Sequence, residues 1–400
     1  MRVRRVVSLA AVLVAGATVV ACGSSDDGGD TTSGGGDGGG KVVRIGMSAA
    51  LEGAYAAYDQ PFVDGMKFAE KQINARGGID GYRVELTVKN NKGDQTQTAT
   101  TVQELLEDGI RAHVLTAADS SVAAGQLAAQ SGAIVSAGAN TAPAIVEGVG
   151  ERGFMLNFGD NGQAAAAAEY ACGEGYRSAY VIGSEQIPYT KFIPEYFEQA
   201  FASGCDGSVT TSESYRLGQT SFSALVAKIA GATPKPDVIF TPMFVPDFGA
   251  FMKQLRSAGV DTPVLTTDGN AAPLLLDSAG NAADGVVITA GAFPADGNAT
   301  ERFVAEYRST MGKAPESDSI AAIGRDNVYA IVEAAAAARS TEPDAILDAI
   351  YAFRDHPLVS GAVTMDRERQ VPDKDIVLLR VQDGGFRLLD ELRPRNVPTP

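Results

Sequence analysis

From Val42 onward, short β-branched runs alternate with stretches whose apolar residues recur every three or four positions. That alternation restricts the chain to repeated βα units around parallel sheets. Val42-Val43-Arg44-Ile45 reads as a strand, and Phe62, Met66, Ala69 and Ile73 share one face of a helix that Gly77-Gly78 stops. Val84, Leu86 and Val88 alternate as a second strand. A helix carrying Val102, Leu105 and Leu106 follows, then a strand from Ala112 to Leu115, a helix from Ser121 to Gln130 and a strand from Ala133 to Ser136. A second series starts near Asp160, with a helix from Ala164 to Ala171, a strand from Ala179 to Ile182, a helix from Pro194 to Phe201 and a strand near Val209. It continues with a helix face of Phe222, Leu225, Val226 and Ile229, a strand from Val238 to Phe240, a helix with Phe248, Phe251, Met252 and Leu255, and a strand from Pro263 to Thr266. The alanine runs at 164–168 and 334–338 need only their helix propensity as explanation. Two such series within 400 residues predict two α/β lobes.

The N-terminus sets the compartment. Arg2, Arg4 and Arg5 precede an apolar run from Val6 to Val20, the layout of a secretory leader. About 15 apolar residues are too few to span a bilayer, which takes about 20. The run ends at Val19-Val20-Ala21-Cys22, which resembles the bacterial lipobox, so residues 1–21 are expected to be removed and Cys22 to carry a lipid. Residues 23–40 contain only Gly, Ser, Thr and Asp and bury nothing, so 22–40 reads as a tether. Loss of the leader takes away three positive charges and moves the net charge from −16 to −19, which excludes electrostatic binding of nucleic acid. Cys172 and Cys205 then remain as an even pair in an oxidising compartment, suited to a disulfide, with two buried thiols as the alternative.

Few residues could carry catalysis. There are two histidines; His113 falls inside a strand and His356 precedes Pro357, and neither stands beside a nucleophile. No G-x-S-x-G, P-loop or H-E-x-x-H pattern occurs, and no His/Cys/Asp cluster has metal-ligand spacing, so neither an enzyme nor a cofactor or metal is expected. Polar residues gather instead where strands end, the place at which open parallel sheets bind ligands. The strand from Ala112 to Leu115 runs into Thr116-Ala117-Ala118-Asp119-Ser120-Ser121 at a helix start, which favours an anion but equally suits plain capping. The strand ending at Ser136 delivers Gly138-Ala139-Asn140-Thr141. The strand ending at Thr266 delivers Thr267-Asp268-Gly269, with an acid where an ammonium could sit.

In this order the loops resemble the type I periplasmic binding proteins, specifically the branched-chain amino acid receptors of ABC importers. The resemblance rests on Ile45-Gly46 through Gly53, Tyr58, Asp64-Gly65 and Ile73-Asn74-Ala75-Arg76-Gly77-Gly78-Ile79-Asp80-Gly81. It continues through Ser120-Ser121, Gly132-Ala133-Ile134, Ala139-Asn140-Thr141-Ala142-Pro143, Tyr189, Phe222-Ser223-Ala224-Leu225 and Asp268-Gly269. It implies two doubly wound lobes joined by a three-strand hinge, the first of residues 41–159 plus 291–358 and the second of 160–290 plus 359–392. The runs Gly361 to Met365, Ile376 to Val381 and Phe386 to Leu389 are then strands of the second lobe. It also implies a small-molecule ligand, an amino acid, in the interlobe cleft. The ligand carboxylate would meet hydroxyls and backbone amides of Ser120, Ser121 and Thr141; the ammonium would meet the Ala139 carbonyl, the Thr141 hydroxyl and Asp268; Asn140 belongs to the same ligand-binding set. Tyr189 would close over the ligand, and Tyr58 and Phe244 would shape the side-chain pocket. The serine that relatives place first in this loop falls at Ala118 here, and Arg325 stands where relatives carry a tyrosine, either near the cleft or in a surface salt bridge. The resemblance further implies a monomer anchored by Cys22 outside the membrane and serving an ABC permease. A sensor of the same fold, or a binder of an amide, urea or aromatic acid, is the alternative.

Overall fold

The computed structural model describes residues 41–400 other than Ala54; the leader 1–21, Cys22 and the tether 22–40 lie outside the described residues. The first series folds as β1 (Lys41–Ala49), α1 (Ala56–Ala75), β2 (Tyr82–Asn90), α2 (Gln95–Glu107), β3 (Ala112–Val114), α3 (Val122–Gln130), β4 (Ile134–Ser136), α4 (Pro143–Val149) and β5 (Gly153–Phe154). Its five strands run parallel in the order β2-β1-β3-β4-β5. The interior strand β1 is buried through Ile45, Met47 and Ala49 because helices cover both faces of the sheet. The order reverses between β1 and β3, so the connections leaving them diverge and open a crevice at their carboxyl ends.

The second series gives α5 (Asp160–Gly173), β6 (Ser178–Gly183), α6 (Pro188–Cys205), β7 (Ser208–Ser214), α7 (Ser223–Ala230), β8 (Val238–Phe240), α8 (Asp247–Ser257), β9 (Val264–Thr266), α9 (Pro273–Ala279) and β10 (Val287–Ala290). These strands are parallel in the order β7-β6-β8-β9-β10, with a second reversal between β6 and β8. One sheet face packs on α7 and α8 through Phe222, Phe248 and Phe251; the other packs on α5 and α6 through Ala164, Phe197 and Phe201. Cys172 and Cys205 form a disulfide, with Cα atoms 5.7 Å apart. It joins the ends of α5 and α6 where they turn into neighbouring strands β6 and β7.

The chain then returns to the first sheet with α10 (Ala299–Met311), α11 (Asp318–Ala338) and α12 (Pro343–Tyr351). Helices α1 and α11 cross in close contact. A Cβ at Gly65 would lie 2.0 Å from the Ala321 carbonyl oxygen, and one at Gly324 would lie 2.1 Å from that of Phe62, so both positions exclude any side chain. A small ribbon of β11 (Val363–Thr364) and β12 (Asp373–Lys374) precedes β13 (Ile376–Gln382) and β14 (Gly385–Leu392). The last two add to the second sheet antiparallel, joined through Asp383 and Gly384 with φ of 52° and 69°, as a tight hairpin requires. The second sheet is therefore parallel from β7 to β10 with an antiparallel pair added at its edge. A correction concerns Gly361 to Met365: Val363 and Met365 pack in the core of the first lobe, and Val371 packs with Met155. The third passage between lobes thus lies between Val371 and Ile376 rather than near Leu358, because the apolar residues after Leu358 are claimed by α11 and α12 before the chain crosses.

Candidate functional site

The carboxyl ends of both sheets contribute to one cavity of about 260 Å³. From the first lobe it is lined by Tyr55 and Tyr58 at the start of α1, Ala117 after β3, and Ala139, Asn140 and Thr141 after β4. From the second it is lined by Ile187 and Tyr189 at the start of α6, Leu217 after β7, Phe244 after β8, and Asp268 and Gly269 after β9. These loops flank the two reversals in strand order, where diverging connections leave room for a ligand. The wall is mainly aromatic and aliphatic, and Tyr189 meets Phe244 edge to face at 6.0 Å.

Asp268 is the charged group of this lining, and no basic residue is among the described lining residues. Its Oδ1 accepts a hydrogen bond from the Tyr189 hydroxyl at 2.7 Å. That hydroxyl lies 2.7 Å from Thr267 Oγ1 and accepts the Gly269 amide at 3.2 Å. Burial pushes the Asp268 carboxyl above the usual carboxylate range, and the hydrogen bonds from Tyr189 and Gln163 draw it part of the way back. Burial, then the charges of Asp268 and Asp160, hold the Tyr189 phenol well above its ordinary value, so it acts as a neutral donor. Tyr58 is raised for the same first reason, with Asp268 second.

A polar chain links this acid to the opposite wall. The Asp268 amide donates to Gln163 Oε1 at 3.3 Å, Gln163 Nε2 donates to Asp160 Oδ1 at 3.0 Å, and the Asp160 amide donates to the Thr141 carbonyl at 2.8 Å. The loop carrying Thr141 is itself fixed by Asn140, whose Nδ2 donates to the Ala117 carbonyl at 2.8 Å while its Oδ1 accepts the Ala142 amide at 2.8 Å. Among the described residues nothing accepts the amides of Ala139 and Thr141, so two donors stand in the lining while Asp268 offers the acceptor.

Of the residues singled out from sequence, Tyr58, Ala139, Asn140, Thr141, Tyr189, Phe244 and Asp268 are brought together in this lining. Ser120 and Ser121 are not. A 3₁₀ turn at Asp119–Ser121 carries Ser120 to the surface and buries Ser121, whose Oγ has no partner, so the loop reaches the cavity through Ala117. Arg325 is also outside the lining. It pairs with Asp326 at 2.6 Å and lies 3.5 Å over the Tyr329 ring, while Asp326 accepts the Val359 and Ser360 amides. His113 is buried, with Nε2 3.1 Å from the Ile110 carbonyl and burial pushing it down to about 4; His356 pairs with Glu333 at 2.8 Å. No cluster of three or more His, Cys, Asp or Glu suited to a metal occurs among the described residues.

Sequence reasoning missed Tyr55, Ile187, Leu217 and Gln163, and above all Asp59. This acid, in the first turn of α1, is fully buried behind the wall. Its Oδ2 accepts the Ala50 amide at 2.7 Å and the Thr116 hydroxyl, and its Oδ1 accepts the Ala117 amide at 2.9 Å. A first-turn acid ordinarily faces water and interacts with the helix dipole, so the residue type alone carried no signal.

Residues 42–385 match the sequence profile of the family described as periplasmic binding protein. The Leu/Ile/Val-binding protein homolog 1 of Brucella abortus is 24% identical over 346 residues, covering 86% of this chain and 91% of the relative. The branched-chain amino acid transporter substrate-binding protein LivJ of Streptococcus pneumoniae, solved with isoleucine, superposes with a TM-score of 0.77 at 23% identity, over 88% of this chain and all of the other. An ABC transporter solute-binding protein of Rhodopseudomonas palustris, solved with 3,4-dihydroxybenzoic acid, gives a TM-score of 0.75 at 21% identity, over 90% and 99% of the two chains.

Proposed function

The chain belongs to the periplasmic binding protein family, whose members are substrate-binding proteins of transporters and not enzymes, and from that premise we propose that it captures an α-amino acid between its lobes. An amino acid is a fixed pair of opposite charges. It wants amide donors on one side and an acceptor on the other. The observation that carries the reading is that one cavity is lined by Ala139 and Thr141, whose amides meet no acceptor among the described residues, and by the Asp268 carboxylate, with no basic side chain among the described lining residues. The ligand ammonium sits on Asp268, its carboxylate on the two amides, and its side chain against Tyr58 and Phe244. An acid without an ammonium group, such as the one bound by the Rhodopseudomonas protein, would meet Asp268 with no compensating cation.

Binding that bridges both lobes stabilises whichever arrangement brings them together. The bound form is then what an ABC permease would receive. The leader at residues 1–21 and the small residues before Cys22 support export and attachment to the outer face of the membrane by a lipid. Thermal-shift screening of the twenty amino acids, amides and aromatic acids tests the ligand class. At a hundred times its dissociation constant the true ligand stabilises the bound fold by about 2.7 kcal/mol. A shift with an aromatic acid and with no amino acid would refute this reading.

A further inference from the structure

Deepening the amino-acid reading, on which it rests, we propose that Asp59 is the positioning residue of this site: its carboxylate occupies the donors at the end of β3 and holds the cavity wall in the shape that receives the ligand. The three groups that bond to it come from two strand ends. Ala50 follows β1, Thr116 and Ala117 follow β3, and Asp59 itself belongs to α1. One side chain therefore ties together both strand ends at the reversal that opens the crevice. Its chain neighbour Tyr58 and its donor Ala117 both line the cavity, so any shift of Asp59 is transmitted directly to the wall.

The electrostatic setting sets this carboxylate apart from an ordinary structural one. Tyr55 and Tyr58 are the titratable groups beside it on α1, and Asp268 is the charge across the cavity. Glu52 after β1 is exposed and bonded to Asn90, and the loop after β3 carries Asp119. Helix α11, packed on α1, carries Arg325 and Asp326, which pair with each other. No cation among the described residues compensates Asp59, and burial pushes its carboxyl up to about 6 against the pull of its three hydrogen bonds. A buried, uncompensated carboxylate weakens the fold, and such groups cluster at functional sites.

Two consequences follow from the geometry. The Ala117 amide and Thr116 hydroxyl are already taken, so neither is offered to the ligand carboxylate. Protonation replaces one of the acceptor oxygens of Asp59 with a donor, which loosens that loop as the pH falls through about 6.

The test combines calorimetric titration with L-leucine as probe, at pH 7.5 and 5.0, with residue-resolved hydrogen exchange of the ligand-free protein. Asp59→Asn should bind L-leucine at least about tenfold more weakly at pH 7.5, and its affinity should fall less than that of the wild type on acidification. In the same variant the Ala50 and Ala117 amides should exchange at least about tenfold faster. Thr116→Val, which removes one donor and leaves the charge, should weaken binding several-fold and serves if the Asn variant folds poorly. An Asn variant with wild-type affinity at both pH values, or with unchanged exchange at Ala50 and Ala117, overturns the proposal. If the wild type binds none of the twenty amino acids, the reading of the ligand fails, and the exchange measurement then decides the role of Asp59 alone.

Discussion

Replacing Asp268 with Asn keeps the shape of the side chain and an acceptor for Tyr189 while removing the charge that lines the cavity. A hydrogen bond to a charged group contributes about 1.5 to 3 kcal/mol. Here the loss is larger, because the ligand ammonium would be left desolvated with no other acid among the described lining residues, and breaking such a pair costs about 2 to 5 kcal/mol. The dissociation constant for the amino acid should therefore rise by about 30-fold to 5,000-fold. Stability should move the other way. Burial raises the Asp268 carboxyl above its unfolded value, so its ionised form opposes folding once the pH exceeds the unfolded value, and the penalty is complete above the folded value. A neutral Asn removes that penalty, so the ligand-free variant should melt at or above the wild-type temperature. Calorimetric titration and differential scanning calorimetry of the two proteins at pH 7.5 read both quantities. Affinity within threefold of the wild type would refute the assignment of the ammonium to Asp268, and a large loss of ligand-free stability would mean that the carboxylate is structural.

Two further outcomes concern the scaffold. Cys172→Ser with Cys205→Ser opens a link across 33 positions, which on the chain-entropy account should lower stability in urea by roughly 4 kcal/mol; a loss below about 1 kcal/mol would mean that the reduced chain is already held together at that edge. His113, pushed down to about 4 by burial, is neutral in the fold and charges first in the unfolded chain. Its contribution is present above about pH 6.5 and is lost as the pH falls through about 4, a change of about 3 kcal/mol. Asp59, raised to about 6, acts with opposite sign between about pH 4 and 6, so the wild-type profile alone is uninformative. His113→Gln compared with wild type isolates the histidine: the stability difference between the two should shift by about 3 kcal/mol in favour of the variant between pH 7 and 4, and a constant difference would sink this account.

The elements most legible from sequence are those set by local chemistry. The helix over Phe62 to Ile73 stops where Gly77 and Gly78 adopt φ of 84° and 104°, as the glycine pair implied. Strand-end loops were legible through the order of their polar residues, and that is why Ala139, Asn140, Thr141 and Asp268 could be named beforehand. Orientation was not legible. The hydroxyls of Ser120 and Ser121 turn away because of a 3₁₀ turn that nothing in the composition of that loop demands, and Val363 packs in the first lobe because α11 and α12 reach it first.

The sequence by itself determined the alternation of strands and helices, the two lobes and the acid at the end of β9, because periodicity, glycine stops and residue chemistry act within a few positions of one another. Only the tertiary structure decided which ends converge on the cavity, that β13 and β14 run antiparallel, and that Asp59 is buried beneath Ala117. Those outcomes depend on strand register and on packing between segments tens to hundreds of residues apart, and the sum of such contacts is not written in any local run of residues.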